Sequence, residues 1–156
     1  MRMGNVINIF DISQKLSPVS ISKLEDVGDI LQYLLPWGAL LAVALQGDKT
    51  AAWDWLIAGG LTTASTFLLK WLFNFTPLGR RPNGAPFSFP SGHTSSAFFG
   101  AAFFHFSIGW MWALLPYILA AFTGYTRIHA KKHWQRDVIA GAALAMGITF
   151  WVVAMR

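Results

Sequence analysis

Residues 94–126, TSSAFFGAAFFHFSIGWMWALLPYILAAFTGYT, run for 33 positions with His105 as the only readily ionised side chain. One helix of that length would be about 50 Å long, too long for a single crossing of a hydrocarbon core about 30 Å thick. The stretch therefore predicts two short spans, about 93–107 and 110–126, folded back at SIGW, residues 107–110. A hairpin has a consequence independent of its details. The polar segments flanking it emerge on the same side of the membrane. These are NFTPLGRRPNGAPFSFPSGH, residues 74–93, and RIHAKKHWQRD, residues 127–137.

Working outward, residues 30–45 form a first apolar span, with Pro36 as a kink, and QGDKT at 46–50 makes a turn. Residues 51–73 form a second span, with Lys70 near its end, where a long side chain can snorkel. Residues 138–155 form the last. The predicted fold is an all-α integral membrane protein, a bundle of about five to six transmembrane helices with its site at one membrane face. Residues 1–156 form a single domain, in which 1–27 is an interfacial or extra helix and 70–137 holds the chemistry. No long apolar run with a small-residue cleavage site appears near the N-terminus, so no cleaved signal peptide is expected.

Composition agrees with a membrane class. Hydrophobic residues make up 54% of the chain and charged ones 12%, about half the share usual in soluble domains, roughly 25%. Eight Trp and thirteen Phe suit interface anchoring and lipid contact. With no Cys, disulfides, thiolate nucleophiles and Cys-ligated metals are excluded. The net charge of +5 is small for a nucleic-acid binder, and the cations sit beside the apolar spans. The expected partners are the bilayer and anionic lipid, with no nucleic acid. Nothing in the sequence indicates an oligomeric state.

The two loops concentrate the reactive groups. In PSGH, residues 90–93, Ser91 or Gly92 can cap a helix and put His93 in its first turn, where free N–H groups and the dipole favour an anion. The plainer reading is a Ser-capped helix with an interfacial His. In the second loop His133 and Asp137 are four apart, so on a helix the carboxylate can fix the imidazole tautomer. Arg127 supplies a planar fork suited to phosphate oxygens. The plainer reading there is a basic juxtamembrane cluster with Asp137 as a cap. Taken together, Arg80, Arg81, Arg127 and Lys70 with two histidines on one face suggest a phosphate site with covalent transfer. His129 lacks an orienting carboxylate and is read as a rim residue. His105, about three turns beyond His93, is read as packed or bonded to another helix.

PSGH at 90–93, followed by Arg-x5-His-x3-Asp at Arg127, His133 and Asp137, resembles the type 2 phosphatidic acid phosphatase (PAP2) superfamily. Its pattern begins with Lys-x6-Arg-Pro and ends with Ser-Arg-x5-His-x3-Asp. Here Thr126 stands where Ser is usual. Arg81-Pro82 is present, but Asn74 occupies the expected Lys position, and Lys70 lies one helical turn earlier. Either Lys70 keeps the role or Arg80 takes part of it; Lys70 is favoured. The resemblance implies that His133 attacks phosphorus, Asp137 orients it, and His93 protonates the leaving oxygen and then activates water. It assigns Lys70, Arg81, Ser91, Gly92 and Arg127 to phosphate binding. It also implies no metal and no cofactor, the cations doing the work of Mg²⁺; no Asp/Glu cluster suited to a divalent ion lies near the loops.

The short spans put the loops near headgroup depth, which favours a lipid phosphate or diphosphate. Bacterial relatives act on undecaprenyl diphosphate, phosphatidylglycerophosphate, phosphatidic acid or lipid A phosphates, with a slight preference here for the first. A lipid-to-lipid phosphotransferase using the same site is the alternative, and a non-catalytic anionic-lipid binder is a third. Most Lys and Arg fall on the catalytic side, and the positive-inside rule would put that side in the cytoplasm. Several of those cations have catalytic roles, which biases the count. The expectation follows bacterial relatives: an inner (plasma) membrane with the site facing the periplasm.

Overall fold

The computed structural model describes residues 18–155. Among these residues five α-helices follow one another: α1 (Pro18–Leu45), α2 (Lys49–Phe73), α3 (Gly92–Phe103), α4 (Trp110–His129) and α5 (Gln135–Ala154). A short 3₁₀ turn, Pro77–Gly79, lies in the loop before α3, and a π-helical turn, Phe104–Ile108, extends α3. The chain reverses at Gly109, whose φ of 132° suits glycine, so the predicted break in the 33-residue stretch falls inside SIGW. Among the described residues, three helices are long and apolar enough to cross a membrane alone: α1 over Ser22–Leu45, α2, and α5.

Helix α3 is the centre of the bundle and packs against the other four. It is short and rich in small residues, and Ala97, Phe99, Ala101, Ala102 and Phe103 are all buried. Lipid tails are as apolar as leucine, so small residues stabilise such a bundle through close van der Waals contact, not through water exclusion. The outer faces carry the large side chains. Leu34, Leu41, Trp53, Phe67, Trp71, Met111, Ile118, Ile139 and Phe150 are exposed, a lipid-facing belt.

Helix α1 begins at Pro18, well before the predicted span at residue 30. Its first turns are charged, which a hydropathy reading counts against a span. They stay helical here because their carboxylates find cations on α4 and its following loop. Of the segment 1–27, expected to be an interfacial or extra helix, residues 18–27 form the start of α1; residues 1–17 lie outside the described residues.

Pro36 sits within α1 and has no N–H for the Gln32 carbonyl one turn back. That carbonyl accepts from Ser96 Oγ of α3 at 2.5 Å. The Pro36 carbonyl accepts from Trp55 Nε1 at 2.8 Å, so Trp55 joins α2 to α1. Asp48 caps α2, its Oδ1 accepting from Ala51 N at 2.8 Å. His105 Nδ1 lies 3.1 Å from Tyr117 Oη, an interhelix contact remote from both polar loops.

Candidate active site

Three pieces of chain meet at one end of the bundle: the 74–91 loop with the start of α3, the end of α4 with the 130–134 loop, and the first turns of α1. Between them lies a cavity of about 590 Å³. Lys70, Arg81, Gly92, His93, Arg127 and His133 line it. The hairpin prediction, that both polar loops emerge on one face, is the geometry found.

The 74–91 loop is tied to itself and to α2. Asn74 Oδ1 accepts from Phe87 N at 3.0 Å, so the residue at the expected Lys position has become a loop fastener. Arg81 N donates to Ala85 O at 2.9 Å, and Ser88 N to Gly79 O at 3.0 Å. Phe87 is held at a φ of 60°, costly for a non-glycine residue by roughly 1–2 kcal/mol. Its carbonyl accepts from Lys70 Nζ at 2.8 Å and faces Arg81 Nη2 at 3.5 Å. Lys70 thus stands beside Arg81 on the cavity wall. Arg80 lines a separate outer depression with Asn74 and Pro77, away from the cavity that Lys70 lines. Burial pulls the Arg81 guanidinium below its ordinary value, with the Asp137 carboxylate opposing that shift.

Ser91 caps α3, its Oγ accepting from Thr94 N at 3.4 Å and from Thr94 Oγ1 at 2.9 Å. The hydroxyl is fully buried and is not on the cavity wall. Gly92 does line the cavity, as do Ser95 and Ser96 of the next turn. Ser91 N donates to Asp137 O at 2.9 Å, stitching the start of α3 to that of α5. This closeness needs Gly141, where a Cβ would come within 2.7 Å of Ser91 O.

Asp137 is completely buried behind His133. Its Oδ2 accepts from Ser88 Oγ at 2.5 Å and from Trp134 N at 2.9 Å, and His133 Nδ1 lies 3.5 Å away. At that distance the orienting contact is electrostatic more than a short hydrogen bond. Burial pushes His133 below the ordinary histidine value. The Asp137 carboxylate opposes that shift, while the charges of Lys70 and Arg81 reinforce it. A neutral imidazole with Nδ1 turned to a carboxylate leaves Nε2 as a nucleophile.

Sequence reading missed Glu25 and Asp29. Asp29 Oδ1 is 2.9 Å from His93 Nε2 and 2.7 Å from Arg127 Nη1. Glu25 Oε1 is 2.8 Å from Lys132 Nζ, so Lys132 is paired within the protein. Arg127 is buried, its Nη2 donating to Glu25 O at 2.5 Å and its Nε to Thr126 Oγ1 at 3.2 Å. The only signal available in sequence was a pair of acids at i and i+4 before an apolar run.

A model of the PAP2 superfamily matches residues 51–156. The chain is 32% identical over 143 residues to lipid A 1-phosphatase of Porphyromonas gingivalis, covering 80% of this chain and 30% of that protein. It is 33% identical over 130 residues to undecaprenyl-diphosphatase of Sulfolobus acidocaldarius, covering 78% of this chain and 63% of that one. The chain thus spans less than two thirds of either relative. The crystal structure of Aquifex aeolicus LpxE has the same fold, with a TM-score of 0.74 over 92% of this chain and 90% of that one, at 21% identity. The family match takes in α2 through α5 and both loops that meet at the cavity: the chain belongs to the PAP2 superfamily.

Proposed function

We propose that this protein is a metal-independent lipid phosphatase acting through a phosphohistidine. One observation carries the reading: two imidazoles, His93 and His133, share a single cavity with the cations of Lys70, Arg81 and Arg127. His133 Nε2 attacks phosphorus, forming a P–N bond as the P–O bond to the leaving oxygen breaks. His93 delivers a proton to that oxygen. Water then attacks the phosphohistidine and gives a proton to His93, releasing inorganic phosphate and restoring both rings. Asp137 stabilises the charge that His133 develops on attack, and the cations neutralise phosphate charge in place of a metal ion.

A second depression supports a lipid substrate over a soluble one. It is an apolar groove between α1 and α2, lined by Trp37, Trp55, Leu56, Gly60 and Phe99 among others. It shares Gln32, Tyr33, Thr63 and Ser96 with the polar cavity. A phosphate headgroup in the cavity can therefore keep its tail in a channel continuous with the lipid-facing flank. The substrate is a lipid phosphate or diphosphate of the kinds for which the two relatives are named. The orientation adopted is that expected from the family, with the site at the periplasmic face of a bacterial inner membrane.

The test is phosphate release by full-length protein in detergent, with EDTA, from undecaprenyl diphosphate, a lipid A phosphate, phosphatidylglycerophosphate and phosphatidic acid. Release by the wild type and none by His133→Ala supports the proposal. Loss of activity on adding EDTA contradicts the metal-free mechanism. Labelled phosphate passing to a second lipid, with none released, makes the protein a transferase.

A further inference from the structure

We propose that Asp29 is a positioning residue for the acid step, holding the His93 imidazole and the Arg127 guanidinium on one carboxylate oxygen. Asp29 belongs to α1, which precedes the family match beginning at residue 51. The inference rests on the phosphatase reading and extends its machinery to this helix.

The geometry is specific. A single oxygen, Asp29 Oδ1, faces His93 Nε2 at 2.9 Å and Arg127 Nη1 at 2.7 Å. With Nε2–H bound to Asp29, Nδ1 is the nitrogen that exchanges protons. A doubly protonated His93 gives its Nδ1 proton to the leaving oxygen and keeps Nε2–H on the carboxylate. The freed Nδ1 lone pair then takes a proton from the attacking water, so the ring ends as it began. By binding Nε2–H, the carboxylate fixes the ring's orientation and leaves Nδ1 as the exchanging nitrogen in both transfers.

The arrangement is built, not incidental. A Cβ on Gly28 would clash with Thr126 Oγ1 and come within 2.8 Å of Arg127 Nη2, so α1 lies against α4 as only glycine permits. Glu25, one turn before Asp29, holds Arg127 Nη2 through its carbonyl and Lys132 through its carboxylate. The Gln32 carbonyl, one turn further on, is held by Ser96 Oγ. A helix fastened above, at and below Asp29 holds that residue's backbone against the cavity. Asp29 therefore belongs to the working site, beside the cavity that the cations of Lys70, Arg81 and Arg127 line for the phosphate.

The test separates positioning from plugging and from mere structure. Full-length wild type and Asp29→Asn are compared on phosphatidic acid, whose leaving group needs a proton, and on p-nitrophenyl phosphate, whose leaving group does not. Asp29→Asn is expected to lose about 100-fold in kcat/KM on the first and less than about 5-fold on the second, with Asp29→Glu recovering part of the loss. In a His93→Ala background, Asp29→Asn should not change the ratio of the two rates further. Should Asp29→Asn fail to fold, Asp29→Glu against His93→Ala, Asp29→Glu is read by the same ratio. Equal losses on both substrates, no loss, or a gain in activity overturns the proposal. A wild type that hydrolyses neither substrate overturns the phosphatase reading and this one with it.

Discussion

Ser88 Oγ and His133 Nδ1 converge on one atom, Asp137 Oδ2, at 2.5 Å and 3.5 Å. The serine comes from the loop before α3 and the histidine from the loop before α5, so one buried carboxylate joins the two polar segments. Replacing Asp137 by Asn keeps the shape and removes the charge that stabilises the His133 imidazolium. The expected result is a fall in kcat of about 10²–10⁴-fold with little change in KM. Steady-state kinetics on phosphatidic acid check this. Ser88→Ala removes a neighbour of the carboxylate and should destabilise the fold by about 1–3 kcal/mol, seen as a lowered thermal midpoint in detergent.

The proposed phosphohistidine is open to direct trapping. Wild type mixed with a ³²P-labelled lipid phosphate and quenched in alkali should retain label on His133, identified by peptide mapping. His133→Ala should carry none. His93→Ala should accumulate more label from an activated aryl phosphate, because water then lacks its base. Label on any other residue rules out the assigned nucleophile.

The pH dependence has a defined sign. Burial, helped by Lys70 and Arg81, holds His133 below the ordinary histidine value of about 6.5. The nucleophile therefore stays neutral as pH falls past 6.5, and the acid limb of kcat/KM should lie below that value. Arg81→Gln removes a cation that disfavours protonation, so the limb should move towards higher pH. A limb that moves the other way counts against this account of the site. Stability follows the same linkage: with the folded value depressed, this contribution is intact above about 6.5 and is lost as pH falls towards the folded value.

Gly60 offers a test of the tail groove. It lines the groove, and a Cβ there would meet nothing within 4 Å, so a larger side chain fills space without clashing. Gly60→Phe should raise KM about tenfold or more for a long-chain lipid phosphate. Hydrolysis of a short-chain or aryl phosphate should change less than about twofold. Equal effects on both would place the tail elsewhere.

The first turns of α1 should respond to crowding. Gly28→Ala forces a Cβ against Thr126 and Arg127 and should cost about 1–3 kcal/mol, with activity falling beyond what the lost fold explains. Thermal melts and specific activity measured on the same preparation distinguish the two effects.

Much of this protein is written locally. The break within SIGW and the shared face of both polar loops follow from residues 94–126 alone, because length and polarity leave few ways to thread a bilayer. The spacing of Arg127, His133 and Asp137 is likewise local, set within one loop and a helical turn. Other features needed the packed bundle. Ser91 lies in the motif yet turns its hydroxyl into a helix cap, while Ser95 and Ser96 reach the cavity. Lys70 takes its place because its side chain reaches the Phe87 carbonyl 17 residues on. Asp29 meets Arg127 across 98 residues, at a contact permitted by the missing side chain of Gly28. Periodicity and motif spacing encode which way a residue faces on its own helix. They do not encode which neighbour that face will meet, and that was decided by how closely small residues let the helices approach.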